Sequence, residues 1–140
     1  MDKSEYLKLA HEKGWDTSIP QLEDGTYDCD VFGGNGVLFN FDVHISGNLS
    51  LGAGAFTRDI FAGGIVALGE GADSCTITAG EDFICGDGSD IGEIFVLNGD
   101  AIIGENSVCR SVINVTKCAV IGKHSRASSV CAAEDILYDD

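Results

Sequence analysis

One five-residue signature recurs along this chain: LGAGA from Leu51, LGEGA from Leu68, CGDGS from Cys85, IGENS from Ile103 and IGKHS from Ile121, at intervals of 17, 17, 18 and 18 residues. Each copy opens on an aliphatic residue or cysteine, continues with glycine and places a small residue four positions after the first: Ala55, Ala72, Ser89, Ser107 and Ser125. Self-similarity at a short, constant period marks a chain that stacks one small unit on the next.

Other columns test that reading, because a stack of coils must put like on like at every inward position. Nine residues after each signature begins stand Ile60, Ile77, Ile94, Val112 and Val130, and two further on stand Ala62, Ala79, Val96, Asn114 and Ala132. Two residues before each signature come Leu49, Val66, Phe83, Ala101 and Ala119, which makes apolar pairs at period two such as Val66 with Leu68. Period two is the face of a strand. One period earlier, Phe32, Leu38, Val43 and Ile45 fall in the same columns without a clean signature. The sequence therefore predicts an all-β, single-domain, three-sided β-solenoid of about six coils with a 17–18-residue period over residues 25–140. Its corners are expected where glycine, aspartate and asparagine cluster.

Nineteen glycines against a single proline fit this geometry, since tight corners demand positive φ or close backbone approach. Residues 1–24 differ in kind. Ser4 can cap a short helix through Tyr6, Leu7, Leu9 and Ala10 that Gly14 stops, and this segment reads as an N-terminal cap or arm.

The formal net charge of −15 disfavours nucleic acid and polybasic attachment to anionic membranes. The start of the chain carries charges where a secretory signal needs an apolar core, which points to the cytoplasm. Cys29, Cys75, Cys85, Cys109, Cys118 and Cys131 show no CxxC spacing and read as thiols.

No chemistry emerges from the polar residues. His11, His44 and His124 fall at unrelated points of the repeat, and no nucleophile–base arrangement can be assembled, so no catalytic residue and no cofactor are expected. Asp87 and Asp90 in GDGSD resemble one calcium-binding turn, but the turn does not recur, and a solvated corner is preferred to a metal site.

Outward columns are more informative. Ala67, Ile84, Ile102 and Val120 alternate with one inward pair, and Phe61, Thr78, Phe95, Ile113 and Cys131 with another. Aligned apolar stripes crossing several coils mark contact with another element or subunit. Self-association is therefore expected, through the end ladders of Phe32, Val43 and Ile45 on one side and Val130 and Ala132 on the other. The stripes of Ile84/Ile102 and Phe61/Phe95 are the lateral candidates.

The stretch IFAGGIVALGEGADSCTITAGEDFICGDGS from Ile60, continued through AIIGENS and AVIGKHS, resembles the bactofilins, and the likeness covers residues 31–132. That resemblance implies a right-handed triangular solenoid whose subunits join through their ends into filaments without nucleotide, as a cytoskeletal scaffold. The series Cys85, Ile91, Leu97, Ile103, Cys109, Val115 and Ile121 is also similar to the six-residue period of the trimeric hexapeptide-repeat acyltransferases. That fit fails upstream, where the interval is 17.

Overall fold

A computed structural model describes residues 25–27, 30–39 and 41–139; the N-terminal helix expected from the sequence lies outside the described residues. Fourteen strands follow in chain order among the described residues: β1 (Gly25–Tyr27), β2 (Val31–Phe32), β3 (Val43–Ile45), β4 (Leu49–Leu51), β5 (Ile60–Ala62), β6 (Val66–Leu68), β7 (Asp73–Ala79), β8 (Phe83–Cys85), β9 (Asp90–Val96), β10 (Ala101–Ile103), β11 (Val108–Val115), β12 (Ala119–Ile121), β13 (Arg126–Ala132) and β14 (Ile136–Tyr138). Odd strands form one seven-stranded parallel sheet and even strands a second, each in unbroken sequence order. The chain is a parallel β-solenoid of about six turns.

Each coil has three flat runs. The even strands supply one. Within β7 the inward–outward alternation breaks at Cys75–Thr76, where neither side chain is buried, so the strand turns a corner and covers two faces. Strand β9 breaks the same way at Gly92–Glu93.

Two separate features hold the signature corner. Its second residue (Gly52, Gly69, Gly86, Gly104, Gly122) lies against the backbone of the coil before; a Cβ on Gly69 would sit 2.6 Å from the carbonyl carbon of Gly52. The fourth position takes positive φ throughout: Gly36, Gly54, Gly71 and Gly88, then Asn106 at 55° and His124 at 61°. Left-handed backbone is costly for side chains with a Cβ, asparagine least so.

Aspartate and asparagine side chains at the corners clamp successive coils. Side-chain oxygens of Asp30, Asn48, Asp82 and Asp100 accept the backbone N–H of Asn48, Ile65, Asp100 and Cys118 at 2.7–2.9 Å. At the signature corner Asn35 and Asp87 hold the amides of Ala53 and Glu105 in the same way. Buried Ser89 and Ser107 extend the alanine column of Ala55 and Ala72, with the Ser107 and Ser125 hydroxyls accepting the amides of Ser89 and Ser107.

The core is a set of aliphatic ladders in which Phe83, fully buried, stacks between Val66 and Ala101. A phenyl ring beside a methyl conserves volume along the column, and burying a Leu, Ile or Phe side chain contributes about 1.5–3 kcal/mol.

Three register details differ from the sequence reading. In the fifth coil Ile113 and Val115, not Val112 and Asn114, point inward, paired with Ile94 and Val96 across a register shift between Cys109 and Ile113. A β-bulge has absorbed the extra residue of that interval, and it moves Ile113 from the outward column to the core. The preceding interval of 18 takes its extra residue in the corner between Val96 and Ala101, which leaves Leu97 exposed and interrupts the six-residue series. In the first coil Val31, paired with Leu49, is the inward residue and Phe32 stands outside.

Candidate assembly surfaces

The expected end ladders are placed unequally. Val43 and Ile45 are fully buried, because β1 pairs with β3 in the register Gly25–Val43 and Tyr27–Ile45 and so adds a further strand outside them. They lie inside the stack. On the other side Val130 and Ala132 belong to β13, the outermost strand of its sheet, and are partly buried against the core. Beyond β12 lies β14, whose Ile136 and Tyr138 occupy the columns of buried Ala119 and Ile121 yet are exposed. These two residues were missed at the sequence level, where Leu137 falls in register to begin another turn; pairing with Val120 turns Leu137 outward instead.

The lateral columns also separate. Pairing places Phe32, Ser50, Ala67, Ile84, Ile102, Val120 and Leu137 in one continuous outward line on the even-strand sheet. Not one of them is charged. Phe32 is 70% exposed, Ile84 39%, Ile102 42% and Leu137 56%, so the line is open along its length. The other column runs His44, Phe61, Thr78, Phe95, Asn114 and Cys131, polar at alternate steps, with the His44 and Phe61 rings stacked at 5.7 Å. Phe61 and Phe95 are thus separated by Thr78 and do not touch as ladder neighbours.

Acidic corners border the uncharged line on both sides at β8 and β10, whereas β6 follows Ile65 and β12 lies between Cys118 and Lys123. Asp82 and Asp100 immediately precede β8 and β10; Glu70, Asp87 and Glu105 lie two residues past β6, β8 and β10. Glu70, Asp87 and Glu105 are exposed. Among the described residues Arg110 with Asp90 is the one cation–carboxylate pair, at 3.6 Å. Among the described residues none of the border carboxylates pairs with a cation, although Asp82, Asp87 and Asp100 each accept a backbone N–H.

Two ionisable groups of the third face interact. Asp73 and Asp90 are register neighbours. Burial pushes the Asp73 carboxyl above its usual range, and the Asp90 charge adds to it, with Arg110 opposing. Asp87 and Asp90, weighed as a calcium turn, serve different partners: Asp87 holds the Glu105 amide and Asp90 faces Arg110. Among the described residues no group of three or more His, Cys, Asp and Glu side chains is placed to hold a metal ion. Cys85 and Cys109 are buried with thiols raised by burial, while Cys75 and Cys131 are exposed.

Compared with protein-family models, with curated proteins and with solved structures, the chain matches none of them.

Proposed function

We propose that this protein is a self-assembling structural scaffold, bactofilin-like in its mode of action, whose solenoids add end to end without nucleotide in the cytoplasm. The observation that carries the reading is the side of the stack formed by β13 and β14. There Ile136 and Tyr138 continue the inward columns of Ala119 and Ile121 and are exposed to solvent. An edge strand with open N–H and C=O groups beside uncovered apolar ladder positions is a template for another copy. The solenoid gives such a copy the same parallel geometry it would meet inside the chain. The reading assigns the protein no catalytic residue and no cofactor.

The test compares wild type with Ile136→Asp/Tyr138→Asp by light scattering at low and moderate salt, because the net charge of −15 opposes association until it is screened. Assembly by wild type and its loss in a variant that keeps its β circular dichroism support end-to-end addition. A uniform wild-type trimer, or assembly that the variant leaves unchanged, contradicts it.

A further inference from the structure

We infer that the even-strand face docks a basic, amphipathic helix of another protein, laid along the solenoid axis. The proposal concerns a lateral face and does not depend on how the ends behave. Its centre is the uncharged line at Ala67, Ile84, Ile102 and Val120. Successive residues of such a line stand one inter-strand step apart, about 4.8 Å. An α-helix rises 4.5–6 Å over three or four residues, so apolar side chains at i, i+3, i+7 and i+10 meet the four positions in turn.

Charge selects the partner. The line is bordered by Asp82 and Asp100 on one side and by Glu70, Asp87 and Glu105 on the other, with Lys123 at the same corner position beside Val120, so the acidic frame is centred on Ile84 and Ile102. A helix whose apolar stripe is flanked by lysine or arginine satisfies both borders while its stripe covers the isoleucines. A second copy of this chain would instead bring its own acidic borders against these, since a face-to-face pair sets border against border in either direction. Residues 1–24 carry six acids and three lysines, so charge does not favour them either. Because no border carboxylate forms an ion pair within the described residues, a basic partner gains their attraction without breaking one.

The probe is a fluorescein-labelled 18-residue peptide of leucine and lysine in amphipathic helical order, followed by anisotropy; a scrambled peptide of the same composition is the control. The wild type is expected to bind the ordered peptide and to lose affinity as salt rises. Ile84→Ser/Ile102→Ser weakens binding roughly tenfold, about 1.4 kcal/mol of lost apolar contact. Glu70→Lys/Glu105→Lys weakens it by a similar factor, whereas Asp42→Lys/Glu93→Lys, an equal charge change away from this face, alters it less than about threefold. Circular dichroism of each variant confirms the fold, and light scattering of the same samples reports assembly separately. Equal binding of the scrambled peptide, or unchanged binding by the isoleucine variant, overturns the proposal, since either outcome means diffuse attraction to an acidic protein.

Discussion

The guanidinium of Arg110 reaches across Gly92 to the backbone of Ser74, 36 residues earlier, where Nη2 donates to the carbonyl oxygen at 2.8 Å. Three coils are tied by one side chain. Gly92 leaves the room: a Cβ there would lie 2.8 Å from the Cys75 carbonyl oxygen and 3.2 Å from Nη2 of Arg110. Gly92→Ala is therefore expected to lower stability by about 1–3 kcal/mol, the usual cost of overpacking a fixed backbone. Thermal unfolding followed by circular dichroism measures it, and an unchanged midpoint would show that the coils slide apart at little cost.

Gly69 and Gly71 occupy one corner for different reasons. A Cβ on Gly69 would fall 2.6 Å from the backbone of Gly52, whereas one on Gly71 meets nothing within 4 Å and suffers only from its φ of +67°. Gly71→Ala is expected to cost about 1 kcal/mol. Gly69→Ala should cost more, about 2–4 kcal/mol, because the neighbouring coil must move. Denaturant midpoints of the two variants decide it, and equal losses would refute the separation of roles.

Asp73 stands beside Asp90 with its carboxyl raised by burial and by that neighbour. A carboxyl whose folded pKa exceeds its unfolded value binds more protons in the folded state, so its contribution to stability falls as pH rises from the ordinary aspartate range through the raised folded value. Asp73→Asn is expected to stabilise the protein at neutral pH by about 0.2–1 kcal/mol, the range for like charges opposed across strands. The gain should shrink at pH 3, and a melting series across that range checks the sign.

Burial divides the thiols. Cys75 and Cys131 are exposed, whereas Cys85 and Cys109 are buried, and burial raises both of their thiols. Iodoacetamide on the native protein should modify the first pair and spare the second until denaturant is added, as read by mass spectrometry. Labelling of Cys85 at the native rate would place it outside the ladder it shares with Leu68 and Ile103.

Much of the fold was legible because ladders repeat chemistry. The Ala55–Ser125 column, the Ile60–Ile94 column and the pair Val66 with Leu68 all stand where the period placed them. What the residues hid was where an 18-residue interval stores its extra member. Val112 and Ile113 are both β-branched and apolar, so neither declares itself the inward one; the bulge chooses Ile113. The first coil was obscured for another reason. Gly33 stands in the inward column of Leu51 with no side chain to show it, and a Cβ there would sit 2.8 Å from Leu51 Cδ2. GGNGV at residues 33–37 is thus a sixth signature without its aliphatic residue. The acidic borders were visible as composition, but only pairing reveals that they frame one uncharged line.

Negative-stain and cryo-electron microscopy of the purified full chain, without nucleotide and at moderate salt, tests the scaffold reading most directly. Seven strands per sheet, with the seventh step of about 4.8 Å crossing the junction to the next copy, make each copy added end to end advance the assembly by about 34 Å. Unbranched filaments or rods are expected, with a subunit repeat near that length and a continuous spacing of about 4.8 Å along the axis. A monodisperse monomer, or a closed trimer of fixed size, would contradict it.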